Sequence, residues 1–230
     1  MSGYAQKVGG AVTQFSDTFN RGTLNPLGQN SWTHILQTLI PIANPFTYGT
    51  AFCNGASQIV LSGQGNGNAG AIPTILPCTA LTYSRLYGQT QFVQGTFQSL
   101  LNAVAIAAGL MVNARWDGIN GGAQWYGFNF SQTGTPFLET FTVSGGVVGG
   151  GVLFTAPAGQ VLGDVWRLSF NTSTNTLTLT KNGVVLYSQV QAGGNLLTGG
   201  VPGLQMRTAN SSAGNCNQVV MSNVSCGLGL

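Results

Sequence analysis

Charge is scarce in this 230-residue chain: seven Lys and Arg, four Asp and Glu, and one His leave only 5% of residues charged. Ordinary soluble domains carry roughly a quarter. The formal net charge of +3 comes from residues scattered singly, with no basic cluster able to neutralise a phosphate backbone, so no nucleic-acid partner is expected. Acids are equally few. A glycosidase needs two carboxylates about 5 to 9 Å apart across a cleft, and the supply is Asp17, Asp117, Glu139 and Asp164, with no close pair on one strand face. His34 is the only histidine and there is no CxxC pair, so a Cys/His zinc site cannot be completed and a nucleophilic triad has a single candidate base. No catalytic residue, metal or cofactor is expected. Long apolar runs are missing too: VAIAAGLMV at 104–112, the most hydrophobic stretch, is well short of the roughly 18 residues that span a bilayer. The opening MSGYAQKVGGAVTQF has no apolar core of signal-peptide length. The chain is therefore expected to lack both a membrane span and a classical signal peptide.

What is abundant is glycine, with 35 residues, and apolar side chains, at 43%. That apolar fraction can fill one large core, and Asn, Gln, Ser, Thr and backbone amides are left to cover the surface. Such a surface is solvated but repels copies of itself only weakly, which suits life in an assembly.

Along the chain, residues 1–14 read as an extended arm and 15–230 as one β-sandwich. Period-2 segments follow one another at 91–101, 104–116, 123–130, 137–143, 147–154, 164–170, 202–208 and 218–225. In AQWYGFNF the alternation puts Tyr126, Phe128 and Phe130 on one face and Trp125, Gly127 and Asn129 on the other. NTLTLTKNGVVLYSQV carries the sharpest local signal. Its Asn182-Gly183 pair between two β-rich runs predicts a type I′ hairpin, in which both turn residues take positive φ. Pro41 and Pro45 break any helix in the 34–56 region, which is expected to be an irregular insertion. The segment 63–71 reads as a glycine-rich loop.

The four cysteines, Cys53, Cys78, Cys216 and Cys226, allow three pairings. Sequence-local pairing, Cys53 with Cys78 and Cys216 with Cys226, would restrain the Gly/Asn-rich stretch between the first two. The alternative is free buried thiols. At least one disulfide is expected, and with it an oxidising, extracellular setting.

Three segments together resemble the concanavalin A-like lectin and glucanase superfamily, and within it the laminin G-like domains found in phage and bacterial proteins. They are SDTFNRG…LGQNSW at 16–32, GDVWRLSFNTSTNTLTLTKNGVVLYSQV at 163–190, and GGVPGLQM with NQVVMSNVSCG near the C-terminus. The resemblance implies an all-β jelly-roll sandwich of two antiparallel sheets, with the C-terminal strand returning beside the N-terminal one. It does not select an activity, because the superfamily includes lectins, adhesion modules, hydrolases and virion components. With little charge, expected disulfides and an apparent arm, the leading expectation is a non-enzymatic structural or decoration protein. It would belong to a virion or other extracellular assembly, with copies of itself or other virion proteins as partners. The alternative is a carbohydrate-binding module for a glycan surface, and glycoside hydrolysis is a remote third. Sugar recognition needs an aromatic plane plus amides or an acid. The candidate set is Trp116, Asp117, Asn120, Trp125 and Asn129, gathered around the loop that joins two strands. The same Asp117 and Asn120 could give calcium only a weak site.

Overall fold

The computed structural model has, among its described residues, sixteen β-strands and one turn of 3-10 helix. It describes residues 3–8, 11–17, 32–37, 50–53, 56, 58–63, 66–73, 90–101, 106–116, 123–130, 135–144, 147–209 and 217–228, with side chains mainly from residue 90 onward. The strands are β1 (Gly3–Val8), β2 (Ala11–Asp17), β3 (Trp32–Gln37), β4 (Thr50–Cys53), β5 (Ile59–Gly63), β6 (Asn66–Pro73), β7 (Gln91–Leu101) and β8 (Ile106–Trp116). They continue as β9 (Ala123–Phe130), β10 (Phe137–Ser144), β11 (Val147–Thr155), β12 (Val165–Asn171), β13 (Thr176–Lys181), β14 (Val184–Val190), β15 (Val201–Ala209) and β16 (Asn217–Leu228).

All recorded pairings are antiparallel. The first sheet runs β1-β2-β16-β7-β12-β13-β14, with β5 also pairing β16 and β4 pairing β5; the second runs β11-β10-β9-β8-β15-β6-β3. This is the two-sheet jelly-roll sandwich expected, and β16 does return beside β2, through Val224–Gly227 against Gln14–Asp17.

Alternation decides which side chains meet between the sheets. On β12 the buried positions are Trp166, Leu168 and Phe170, and on β13 Leu177 and Leu179. From the second sheet β9 sends in Tyr126, Phe128 and Phe130. Phe128 stacks on Trp166 with centroids 4.6 Å apart, Tyr126 stacks on Phe170 at 5.3 Å, and Phe97 lies 5.1 Å from Phe130. These offset aromatic pairs fasten one sheet to the other.

Local chemistry works as the sequence predicts at the hairpin between β13 and β14, where Asn182 and Gly183 have φ of 52° and 81°. Asp164 braces it. Its carboxylate accepts from Val161 N at 2.7 Å and Asn182 Nδ2 at 2.9 Å, and pairs with Lys181 Nζ at 2.7 Å.

Several expectations are corrected. The arm at 1–14 holds β1 and most of β2, which pair with each other and, through β2, with β16. The insertion at 34–56 contributes Thr50–Cys53 to the first sheet, and residues 34–37 continue β3. In the expected glycine-rich loop, Asn66–Pro73 is a strand between β15 and β3; small residues let two neighbouring backbones approach. Cys226 is a free, buried thiol on β16, so the expected Cys216–Cys226 bridge is not formed. Cysteine is a good small core residue, and this one is used that way. Cys53 lies on β4; Cys78 and Cys216 lie outside the described residues.

Candidate functional site

The outward face of the second sheet, turned away from the inter-sheet core, carries a line of polar side chains. Register builds it. Glu139 on β10 stands opposite Gly127 on β9, Phe141 opposite Trp125, and Phe137 opposite Asn129. On the other side, Asn129 faces Gly109 of β8, which in turn faces Gln205 of β15.

With glycine at 127, the Gln205 amide reaches across β8 into the space over β9. A Cβ at Gly127 would fall on that amide. The indole N–H of Trp125 donates to Gln205 Oε1 at 2.5 Å, Gln205 Nε2 donates to Asn129 Oδ1 at 2.7 Å, and Asn129 Nδ2 donates to Glu139 Oε1 at 3.0 Å. Every donor points the same way along the chain, from indole to carboxylate. Each amide, by donating onward, leaves its oxygen oriented to accept, so the bonds polarise one another. Trp125 also stacks on Phe141, with ring centroids 4.3 Å apart. The line is buried: Trp125 is 6% exposed, Asn129 and Gln205 0%. In this state the indole offers no free face or N–H to a ligand.

Of the five sugar-site candidates, the structure brings Trp125 and Asn129 together on one strand face. Trp116 ends β8 opposite Ala123, while Asp117 and Asn120 lie outside the described residues. Sequence reasoning missed Glu139 and Gln205 as members of the line. Glu139 had a readable signal, being an acid inside the strand FLETFTV with aromatic residues at i±2. Gln205 had none, since its role depends on Gly127, far away in the chain.

A second polar cluster ties the segment before β15 to the core. Tyr126 Oη accepts from Leu197 N and donates to Asn195 O, both at 2.7 Å; Asn113 Nδ2 donates to Leu197 O at 2.8 Å. Gln91 Nε2 reaches Gly200 O at 2.9 Å and its Oε1 accepts from Asn113 N at 3.1 Å. Burial pushes the Tyr126 hydroxyl up to about 12, against the backbone hydrogen bond from Leu197, which favours the ionised form. Asp164 belongs to neither cluster. Burial opposes its charge, yet Lys181, Val161 N and Asn182 outweigh that and hold the carboxyl below the usual range. Among the described residues no group of three or more His, Cys, Asp or Glu could hold a metal. No helix there is long and apolar enough to cross a membrane.

Two packed antiparallel sheets in this order have the fold of the concanavalin A-like lectins and glucanases. Among solved structures, the chain is similar to Rv0315 of Mycobacterium tuberculosis, described as an immunostimulatory antigen and pseudo beta-1,3-glucanase (14% identity over 93% of this chain and 97% of that one, TM-score 0.53). It is also similar to a prokaryotic beta-1,3-1,4-glucanase (lichenase) from a mouse hindgut metagenome (9% identity, 94% and 99%, TM-score 0.54). A third similar structure is LamAcat from Zobellia galactanivorans (10% identity, 93% and 96%, TM-score 0.54). At such identities the likeness concerns fold alone. The sequence matches no family model and no curated protein.

Proposed function

We propose that this chain is a carbohydrate-recognition module that binds its ligand without hydrolysing it. The observation that carries the reading is the line Trp125, Gln205, Asn129, Glu139: an aromatic ring, two amides and one carboxylate, gathered and buried on the sheet face opposite to the one that packs on the first sheet, with Trp125 and Phe141 part of the buried apolar cluster. That is the chemistry a sugar needs for its C–H face and hydroxyls. A hydrolase needs a second carboxylate across from the first. The other acid with a described side chain, Asp164, is spent on Lys181 beside the β13–β14 hairpin. The same fold serves a lichenase and a protein described as a pseudo-glucanase, so it accommodates both outcomes.

The test is affinity electrophoresis in laminarin and in lichenan, with reducing-sugar release measured in parallel. Retention without release is expected, and Trp125→Phe, which keeps the ring but removes the N–H, weakens retention while the fold survives. Absence of retention on every glucan sinks the recognition reading, and sugar release above buffer sinks the non-hydrolytic half.

A second reading, assembly with copies of itself, is favoured by one specific feature. The sheets end on the same side of the sandwich with β14 and β11, joined by Phe154 and Tyr187 at 5.4 Å between centroids. Neither strand has a charge or a proline, and Val152, Val184, Val185 and Val190 are exposed on them. Unblunted edges of this kind invite strand pairing. Sedimentation velocity over a wide concentration range tests it: oligomers abolished by Val190→Lys support it, and a strict monomer ends it.

A further inference from the structure

The outward face of the first sheet holds a cation unused by the site above. Arg167, midway along β12, lies with its guanidinium carbon 3.9 Å from the ring centre of Phe92 on β7, and Phe92 is buried. Among the described residues the guanidinium has no carboxylate and no hydrogen-bond acceptor. Burial, unopposed by any acid, pushes Arg167 below the ordinary arginine value. Five N–H donors in a rigid planar fork are therefore unspent on the described residues. The stack on Phe92 fixes the plane of that fork in advance, so less freedom remains to be lost on binding.

Register surrounds Arg167 with neutral groups, most of them polar. Gln94 and Thr180 stand directly beside it and Ser225 beyond Gln94, while the neighbouring row is Phe92, Ser169, Thr178 and Ser188. All are uncharged, spaced at the roughly 4.8 Å of adjacent strands.

We propose that this face binds a carboxylated saccharide, Arg167 taking the carboxylate in a bidentate pair and Gln94, Thr180 and Ser169 taking hydroxyls. One cation matches one carboxylate; a sulfated chain or nucleic acid calls for an array of cations. An extended acidic peptide docks on a free strand edge, and both edges of β12 are already paired, with β7 and β13.

Affinity electrophoresis and calorimetry on the full chain test this with polygalacturonate and alginate, with methyl-esterified polygalacturonate and with polyglutamate. The acidic polysaccharides are expected to bind about tenfold or more tightly than the esterified polymer, because a charge-assisted fork is the strong kind of contact. Arg167→Gln is expected to lose about tenfold, and Arg167→Lys to fall between, having the charge without the fork. Thr180→Ala leaves the Arg167–Phe92 stack in place and keeps the test open should Arg167→Gln fail to fold; it is expected to cost about threefold with an unchanged melt. Equal affinity for free and esterified polymer, affinity for polyglutamate as high as for the saccharides, unchanged binding in these variants, or no binding to either acidic polysaccharide overturns the proposal. Retention on neutral glucan belongs to the Trp125 face and stays constant in these variants, so the two readings fail separately.

Discussion

The indole of Trp125 and the amide of Gln205 are 80 residues apart in the chain and share a hydrogen bond of 2.5 Å across an intervening strand. Gln205→Ala removes at once the acceptor for a buried N–H and the donor to Asn129 Oδ1. Each stranded buried group costs roughly 1–3 kcal/mol, so a loss of about 3 kcal/mol is expected in urea denaturation, with the slope unchanged. A loss under about 1 kcal/mol would mean that water replaces the amide.

Gly127→Ala approaches the same line from beneath. The added methyl falls on the Gln205 amide and forces it aside. Overpacking of this sort costs about 1–3 kcal/mol. In the double variant Gly127→Ala with Gln205→Ala, the second methyl-induced penalty is expected to shrink, because the amide it strikes is gone. Full additivity in that cycle would disprove the contact.

Asp164 gives an acid-side signature. Its carboxyl is held below the usual range when folded, so its contribution is fully present above the unfolded value near 3.9 and disappears as pH falls through the folded value. Asp164→Asn is expected to cost about 1–2 kcal/mol at neutral pH. The gap from wild type should stay constant between about pH 7 and 5 and close below about pH 4. A gap that persists at about pH 2 would place the cause elsewhere than in the charge.

Tyr126 gives the opposite limb. With the hydroxyl raised to about 12, its neutral form is favoured in the fold. That contribution is complete below the unfolded value near 10 and is lost as pH rises toward 12. Ultraviolet titration should show one phenol ionising near 12 in wild type that is missing from Tyr126→Phe, and the variant should lose about 1–2 kcal/mol from the unpaired Leu197 N–H.

Cys226 is buried, and burial pushes its thiol up, so little reactive thiolate forms. A maleimide added to the native protein at about pH 8 should leave the Cys226 peptide unlabelled in mass spectrometry, and urea should expose it. Recovery of that peptide bridged to another cysteine would contradict the structure.

The sequence by itself determined most strands from residue 91 onward, the hairpin and the class of sandwich, but not the strands β1, β4 and β6 in the segments read as arm, insertion and glycine-rich loop. Alternation in VWRLSFN and AQWYGFNF is a local property of a two-residue repeat, and Asn182-Gly183 takes positive φ because of what those residues are. Tertiary structure alone decided which sheet each strand joins and what each outward face contains. Gln205 meets Trp125 because β15 and β9 flank β8 and Gly127 clears the way; Arg167 meets Phe92 because β12 and β7 are neighbours. Trp125 and Asn129 were readable as a pair on one face, but not as buried, since period 2 separates the two faces without saying which is covered. Cysteine spacing likewise suggested a bridge at Cys226, whereas the core took that residue as a small apolar group, because burial depends on neighbours distant in the chain.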